Sequence, residues 1–538
     1  APALRGALAA MVGMSEPPTQ RSASNAPGAY EHFVRSQEHL LHQTESNPLP
    51  TMIPPPSAGL AGASGKRHVI SFIGLPYRGK PFLAERLCRY LSFFHGTKCR
   101  MFDIARPEWK DDAVLWEALK VYLEEEDLAA TTQVAMALEE IECDQHQVFR
   151  KNVDSGRIAI LYSHDEVATH SQVWSGSSKE HRWAMQTRLE KLTIHCRLLF
   201  IEAIVTDAAM VRRFIRQRDC HNCGGASPEA DGEKENGSIT NGEAEALIAA
   251  AEAKIKEYTR VYVTIQDDGS EDELSYVKLF NYGHRVVANT IRGFLCMRIV
   301  QYISHIHPEP HSLYLSRHGQ STYNAVKKIG GNPGLTDEGE KYAQWLGAWV
   351  PQHICGSGDL RTQRACRLWT SSMKRTIDTS RHIPHPLIEM ADHQLWHQMS
   401  LRVYRNLDEI FAGEYEGMTY EEIERTSGDE AILRKKDKLG YRYPRGESYF
   451  DLIARLEPLM HELESYREPT LIVSHQATLR MVYAYLMGID RTEAPKLDIP
   501  LHTVIKIQYD GFGRQGQTVT EERFPGPQLS SCDGQGHL

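Results

Sequence analysis

Short apolar runs alternate with longer amphipathic stretches along most of the chain. The first clear run is VISFI at 69–73, which ends in a glycine and is typical of a buried strand. In the N-terminal half, such runs predict strands at 69–73, 101–104, 158–162, 198–204 and 277–280. In the C-terminal half, they predict strands at 313–316, 367–370, 471–474 and 503–508. Apolar positions at helical spacing fill the intervals, so the pattern predicts α/β domains with mainly parallel sheets and helices on both faces.

The pattern divides the chain into two domains and their flanking segments. Predicted helices of the N-terminal half are 82–94, 113–149, 246–261 and 286–303. Pro308 and Pro310 follow the last of these helices and indicate a domain boundary. Small and polar residues without a regular period indicate less ordered parts. The predicted order is a disordered arm 1–66, a first domain 67–306 with a mobile insertion 221–245, a second domain 311–510 and a disordered tail 511–538.

Composition narrows the classes of partner. The chain has 538 residues, 41% of them hydrophobic, and a formal net charge of −9. A net negative charge with both signs interspersed argues against broad binding to nucleic acid or to an anionic membrane. The ten cysteines are scattered, which favours a reducing, cytoplasmic compartment. The one close cysteine pair, Cys220 and Cys223, has no second pair at zinc-ligand spacing, and no carboxylate cluster is evident, so we predict no metal site.

Candidate catalytic residues follow three predicted strands of the second domain. Arg317 and His318 come after the strand 313–316, and His475 comes after the strand 471–474. Arg375 follows the strand 367–370, and Glu409 lies in a later loop. A lone histidine at a strand end is usually a hydrogen-bonded loop residue. Because the carboxyl ends of parallel strands converge on one crevice, however, these residues are expected to meet.

That set of side chains suits metal-free phosphoryl transfer. Neutral His318 offers a ring nitrogen as nucleophile, and the two arginines can bind phosphate oxygens. His475 adds a hydrogen-bond donor, while Glu409 can protonate the leaving oxygen and then activate water. Asn324 and the backbone at Gly330 are candidates to complete the phosphate cradle.

Longer strings in the second domain resemble one family. LSRHGQS at 315–321 resembles the histidine phosphatase signature. Five further strings resemble the phosphatase half of the 6-phosphofructo-2-kinase/fructose-2,6-bisphosphatase family. They are MKRTI at 373–377, EGMTYEEI at 416–423, YPRGESY at 443–449, HQA at 475–477 and PLHT at 500–503. The resemblance implies a phosphoglycerate mutase-like α/β fold, a phosphohistidine intermediate and no cofactor for the phosphatase.

The resemblance also implies a site for a second phosphate of the substrate. Its cations would be Arg434, Lys438 and Arg480. Its neutral donors would be Tyr420, Tyr449 and Gln476. Without the resemblance, Arg434 and Lys438 would be assigned to a solvated helix face, since they belong to a run of charges.

The first domain resembles the kinase half of the same family, with departures. GLPYRGK at 74–80 follows a strand and opens a helix, as a phosphate-binding P-loop does. Its candidate nucleotide-binding residues are Gly74, Arg78, Gly79 and Lys80. Pro81 stands where the family has a magnesium-binding hydroxyl, and Tyr162 stands where it has an aspartate, with Asp165 three residues further on. These departures imply an inactive kinase; residual binding of ATP or magnesium is left open.

The leading hypothesis is a fructose-2,6-bisphosphate 2-phosphatase that releases fructose 6-phosphate and phosphate and so regulates glycolysis and gluconeogenesis. Three alternatives remain. The first is a bifunctional enzyme that keeps kinase activity. The second is a protein that senses metabolites without turnover. The third is a phosphatase that acts on another sugar bisphosphate. The resemblance also allows a homodimer through the kinase-like domain.

Overall fold

The computed structural model describes residues 67–109, 111–125, 156–163, 173–192, 195–222, 241–356, 363–390, 393–509 and 517–525. The predicted arm 1–66 and Asp165 lie outside these ranges. The described strands are β1 Arg67–Ile73, β2 Lys98–Asp103, β3 Arg157–Tyr162, β4 Cys196–Ile204, β5 Tyr276–Phe280, β6 Arg285–Asn289, β7 His311–Arg317, β8 Arg367–Thr370, β9 Leu387–Glu389, β10 Leu395–His397, β11 Ser400–Val403, β12 Thr470–Ser474, β13 Thr503–Tyr509 and β14 Gln517–Arg523. The described α-helices are α1 Lys80–His95, α2 Asp112–Glu124, α3 Lys179–Glu190, α4 Ala208–Asn222, α5 Asn241–Thr259, α6 Phe294–His305, α7 Thr322–Ala325, α8 Asp337–Val350, α9 Lys374–Ser380, α10 Tyr420–Thr426, α11 Gly428–Lys436, α12 Tyr449–Glu464 and α13 Gln476–Met487.

The first domain is built on a sheet with the strand order β2-β3-β1-β4-β5-β6. Strands β1 to β5 pair in parallel, as the alternation of strands and helices predicts. β6 pairs antiparallel with β5, so the prediction of one helix over 286–303 is wrong at its start. The β-branched Val286 and Val287 lie opposite β5, and Gly293, with a φ of 88°, separates β6 from α6.

Helices extend into the predicted mobile insertion from both sides. α4 continues to Asn222, and α5 begins at Asn241. The described helices thus include positions 221–222 and 241–245 of the predicted insertion, whose mobility stays a prediction, and residues 223–240 lie outside the described ranges. The first turn of α5 is exposed, and an exposed turn needs no apolar position, so hydrophobic periodicity did not reveal it. The predicted helix 113–149 is described only as α2, and residues 126–149 again lie outside the described part.

The second domain is built on a sheet with the order β11-β8-β12-β7-β13-β14. β11, β8, β12 and β7 are parallel, while β13 and β14 run antiparallel at one edge. The predicted disordered tail is wrong over β14, which pairs with the full length of β13. The sequence QTVTEER of β14 is mostly polar because its exposed side chains need no core contact, so it carries little hydrophobic signal.

The first helix of one domain packs directly on the other domain. In α1, Arg86 forms a buried ion pair of 3.2 Å with Glu464 of α12. Tyr90 of α1 donates a hydrogen bond of 2.6 Å to Glu457. Apolar residues of both domains, such as Leu87 and Leu479, belong to one continuous core. Among the described helices, none is both long and apolar enough to cross a membrane.

Candidate active site

Parallel strand register brings the candidate catalytic residues together. Arg317, the last residue of β7, lies opposite Ser474, the last residue of β12. The N–H of His318 donates to the carbonyl of Ser474 at 3.0 Å. Val473 of β12 lies opposite Thr370 at the end of β8. The residues that follow these three strands therefore share one edge of the sheet, where open α/β sheets carry their sites.

His318 is held as a neutral imidazole with a fixed tautomer. Its side chain is 3% exposed, and Nδ1 lies 2.7 Å from the carbonyl oxygen of Gly319. A carbonyl only accepts, so Nδ1 carries the hydrogen and Nε2 carries the lone pair. Burial, with the neighbouring charges of Arg375 and Arg317, holds the pKa of His318 well below its usual value. His318 therefore presents an unprotonated Nε2 at neutral pH, as a nucleophile requires.

Arg375 lies at the centre of the site. Its Nε–H donates to Nε2 of His318 and to Nδ1 of His475, each at 3.2 Å. One terminal nitrogen donates to the carbonyl of Gly331 at 2.8 Å, which fixes the plane of the guanidinium. Arg317 is also buried, and it donates to the carbonyl of Ile499 at 3.0 Å. The two predicted phosphate-binding arginines are thus placed beside His318 by backbone acceptors.

His475 is fully buried on the opposite side of Arg375. The rings of His318 and His475 have centroids 5.1 Å apart. Because Nδ1 of His475 accepts from Arg375, its proton lies on Nε2, which is 2.7 Å from the hydroxyl of Ser371. Burial, together with the charge of Arg375, lowers the pKa of His475 well below its usual value. The predicted phosphoryl donor is therefore an acceptor toward the site in this structure.

Glu409 lies at the N-terminal end of α13. Its carboxylate accepts from the N–H of Ile410 at 2.9 Å and of Ala477 at 3.2 Å. The guanidinium of Arg455 donates to the Glu409 carbonyl at 3.2 Å. Charge interaction with Glu409 opposes the lowering of the Arg375 pKa that burial causes, so this carboxylate also belongs to the site.

Gly330, which is predicted to bind phosphate through its backbone, lies against the carboxylate of Glu416. It has a φ of 65°, and a Cβ there would lie 2.1 Å from Oε1 of Glu416. The carboxylate of Glu416 accepts from the N–H groups of Gly331 and Ala412. Glu416 therefore fixes the loop that holds Arg375, a role that its place inside a matching string did not reveal.

Asn324 is the third residue of the short helix α7, whose N-cap is Ser321. Its Oδ1 accepts from the N–H of Ser321 at 3.0 Å and from the Ser321 hydroxyl at 2.9 Å. The Ser321 hydroxyl in turn accepts from the N–H of Asn324, which completes a capping box. The amide oxygen is thus engaged locally, and the contact of Asn324 with phosphate stays a prediction.

A second basic group consists of Arg434 on α11, Lys438 in the loop after α11, and Arg480 on α13. Arg434 donates to the hydroxyl of Tyr420 at 3.2 Å, and Arg480 contacts the hydroxyl of Tyr449 at 3.4 Å. Burial, then the charges of Arg480 and Arg434, lowers the pKa of Lys438 to about 8. Within the described ranges, no carboxylate pairs with these three cations.

The burial of these residues bears on the solvated-face interpretation of the charge run, while the second-phosphate assignment stays a prediction. Arg434 and Lys438 are half-buried, so they do not form a fully solvated helix face. Mutual repulsion of the cations is consistent with a site for an anion. Gln476 is the first residue of α13 and is also half-buried.

The P-loop of the first domain has the expected backbone and an unexpected lysine position. Gly74 and Gly79 have φ values of 129° and 72°, and α1 begins at Lys80. Nζ of Lys80 donates to the carbonyls of Gly74 at 2.9 Å and Leu75 at 2.8 Å. Burial, then the charge of Arg78, lowers the pKa of Lys80 well below its usual value. Lys80 is thus turned back onto its own loop.

Two aromatic rings lie against this loop. Tyr282 donates to the carbonyl of Arg78 at 2.9 Å and stacks on Phe214 with a centroid distance of 5.6 Å. A Cβ at Gly79 would lie 1.7 Å from the Tyr282 hydroxyl and 2.7 Å from Phe214. At the end of β3, burial and Asp103 raise the pKa of Tyr162 to about 12, so it stays a neutral phenol. These residues do not fit magnesium-ATP, since Pro81 also lacks a hydroxyl ligand.

Comparisons with known proteins agree with this division. The family described as 6-phosphofructo-2-kinase matches residues 60–310, and the histidine phosphatase superfamily (branch 1) matches residues 313–521. A fructose-2,6-bisphosphatase of Saccharomyces cerevisiae is 32% identical over 87% of this chain and 91% of its own length. A human 6-phosphofructo-2-kinase/fructose-2,6-bisphosphatase 1 is 30% identical, with 84% of each chain covered. Among solved structures, a putative alpha-ribazole-5'-P phosphatase from Escherichia coli covers 41% of this chain and 98% of its own, with a TM-score of 0.32 and 19% identity.

Proposed function

This chain belongs to the 6-phosphofructo-2-kinase/fructose-2,6-bisphosphatase family, and we propose that its C-terminal site removes the 2-phosphate of fructose 2,6-bisphosphate. The observation that carries the proposal is the state of His318. Its Nδ1–H is fixed on the carbonyl of Gly319, and its Nε2 lone pair faces Arg375. A buried neutral imidazole beside a cation is arranged to attack an anionic phosphoryl group.

The first half of the reaction transfers the phosphoryl group to His318. Arg317 and Arg375 bind its oxygens and offset the charge of the transition state. Nε2 of His318 forms a bond to phosphorus while the bond from phosphorus to the sugar oxygen breaks. The electron pair stays on that oxygen, and Glu409 in its acid form supplies the proton. Fructose 6-phosphate leaves.

The second half of the reaction regenerates His318. Water attacks the phosphorus atom, and the Glu409 carboxylate takes the proton of the water. The phosphorus–nitrogen bond breaks, and its electron pair returns to Nε2 of His318. Inorganic phosphate leaves, and Glu409 is again protonated for the next cycle. The acidic and basic roles of Glu409 are supported by its position beside Arg375 and at the start of α13.

The preference for a bisphosphate rests on the second basic group. Arg434, Lys438 and Arg480 would hold the phosphate that does not react, with the hydroxyls of Tyr420 and Tyr449 as further donors. Gln476 adds an amide at the start of α13. A substrate with a single phosphate leaves the three cations without an anion, so it should bind more weakly.

We propose that the first domain has no kinase activity. Phosphoryl transfer to fructose 6-phosphate depends on positioned metal and lysine charges. Pro81 and Tyr162 supply neither a metal-binding hydroxyl nor a carboxylate. Lys80 is bound by Gly74 and Leu75, and aromatic rings lie against the loop.

One purified sample tests both proposals. Fructose 2,6-bisphosphate labelled at its 2-phosphate should release labelled phosphate and leave a labelled protein after acid-free quenching. His318→Ala should do neither. The same variant, incubated with ATP, magnesium and fructose 6-phosphate, should form no bisphosphate. If the wild type neither becomes labelled nor releases phosphate, the result favours a metabolite sensor. If His318→Ala forms fructose 2,6-bisphosphate, the protein is a bifunctional enzyme.

A further inference from the structure

The two histidines of the site have different kinds of partner on their outer nitrogens. The outer nitrogen of His318, Nδ1, faces the carbonyl of Gly319 at 2.7 Å. The outer nitrogen of His475, Nε2, faces the hydroxyl of Ser371 at 2.7 Å. A carbonyl can only accept a hydrogen bond, whereas a hydroxyl can either accept or donate. The partner of Nδ1 therefore fixes the tautomer of His318, whereas the partner of Nε2 in His475 is compatible with either tautomer.

The hydroxyl of Ser371 has a second hydroxyl beside it. Thr376 Oγ1 lies 2.7 Å from Ser371 Oγ and 2.7 Å from the carbonyl of Met373. In a first arrangement, Thr376 donates to the Met373 carbonyl, Ser371 donates to Thr376, and His475 donates to Ser371. Ser371 can also rotate its hydrogen toward His475, because Thr376 Oγ1 and the N–H of Met373 can then donate to it. The hydroxyl of Ser371 therefore has hydrogen-bond partners whether its hydrogen points to Thr376 or to His475.

A bound phosphoryl group requires the second arrangement. In the structure, Nδ1 of His475 presents a lone pair toward Arg375. A phosphoryl group on Nε2 of His318 would bring an anionic oxygen toward that lone pair, since the two rings are neighbours with centroids 5.1 Å apart. Two acceptors facing each other repel, so Nδ1 needs a hydrogen in the phosphoryl complex.

We propose that Ser371 is a positioning residue that lets His475 change between its two neutral tautomers when a phosphoryl group binds. The inference rests on the proposed phosphatase function. In the free site His475 donates through Nε2 to Ser371, and in the phosphoryl complex Ser371 donates to Nε2 while Nδ1–H donates to the phosphoryl oxygen. The proton that leaves Nε2 goes to water, and water returns one proton to Nδ1. No net charge is added to the site.

The surroundings favour this neutral exchange over a doubly protonated ring. The groups that act on His475 are cationic or neutral, apart from the nearby carboxylate of Glu409. They are Arg375 of α9, His318 and Arg317 at the end of β7, and Arg455 of α12. Three arginines around a fully buried ring disfavour an imidazolium, whereas either neutral tautomer is compatible with them.

Nuclear magnetic resonance of the wild-type protein tests the exchange directly. Histidine labelled with ¹⁵N reports which ring nitrogen carries hydrogen, and the spectrum of His475→Asn assigns the signal. Without ligand we expect hydrogen on Nε2, and with saturating inorganic phosphate we expect it on Nδ1. Hydrogen that stays on Nε2, or that is found on both nitrogens, in the phosphate complex overturns the proposal. Because no sugar is involved, this result is independent of the proposed substrate.

Variants of Ser371 test the consequence for turnover. Ser371→Ala leaves Nε2 of the required tautomer without a donor, so kcat/KM at about pH 8 should fall roughly 10- to 100-fold. The fold-loss should be similar between about pH 6 and pH 8, because neither of the two arrangements changes the charge of His475. Ser371→Thr keeps a hydroxyl and should retain most of the activity and the wild-type pH profile.

The matched control is Ser372→Ala. It removes a neighbouring hydroxyl that donates to Asp408 at 2.9 Å and does not contact His475. Its pH profile should match that of the wild type. An alanine at 371 with wild-type kcat/KM at every pH, or a folded threonine variant as impaired as alanine, would refute the role of Ser371. If the wild type does not hydrolyse fructose 2,6-bisphosphate at all, the result would instead refute the proposed function.

Discussion

Replacing Lys438 by methionine removes one cation from the second basic group while keeping most of the side-chain volume. Lys438 is half-buried and has two arginines as its charged neighbours. A hydrogen bond from a charged group contributes about 1.5–3 kcal/mol, and partial exposure places this one near the lower end, at about 1–2 kcal/mol. We therefore expect kcat/KM for fructose 2,6-bisphosphate to fall about 5- to 30-fold at pH 7.

The pH dependence of this loss follows from the lowered pKa of Lys438, about 8. The lysine is charged below that pH and loses its charge above it, and kcat/KM reports the free enzyme. The advantage of the wild type over Lys438→Met should therefore be full at about pH 6–7 and should disappear as the pH rises past about 9.

The assay compares the bisphosphate with a monophosphate such as p-nitrophenyl phosphate at each pH. Hydrolysis of the monophosphate should change little, because its only phosphate binds at His318. Lys435→Met is the matched control, since Lys435 lies on α11, is exposed and pairs with Glu424 at 2.8 Å. Equal losses on both substrates, or a bisphosphate loss that does not depend on pH, would refute the second-phosphate assignment.

Three further predictions concern the supports of the two domains. Gly330→Ala should lower kcat more than tenfold and the free energy of unfolding by about 1–3 kcal/mol, because its positive φ is strained for alanine and its Cβ would displace Glu416. Steady-state kinetics measures the first effect, and thermal unfolding measures the second. Arg86→Met should destabilise the protein by about 3–5 kcal/mol in urea unfolding, since it leaves Glu464 buried without its ion-pair partner. The double variant that also carries Glu464→Gln should recover part of this loss. Magnesium-ATP should not raise the Tm of the wild type, because Lys80 is bound by its own loop; a rise of several degrees would contradict this.

Local sequence predicted the parts of the fold that depend on local patterns. The apolar runs of the second domain correspond to β7, β8, β12 and β13, with bounds that differ by at most two residues. Strand ends could be located from the same runs, so the position of His318 and His475 at one edge of the sheet followed from parallel topology. The polar strand β14 and the short strand β6 were missed, because their pairing partners supply what their own patterns lack.

The sequence by itself determined which chemical groups are present and that their strand ends share an edge. Tertiary structure alone decided the proton position of His475, because Arg375 and Ser371, both remote from it in the chain, face its two ring nitrogens. It also placed Glu416 behind Gly330 and turned Lys80 onto its loop. Hydrogen bonding and burial depend on distances between atoms remote in the chain. Spacing along the sequence does not contain those distances, and they set the charge and direction of each functional group.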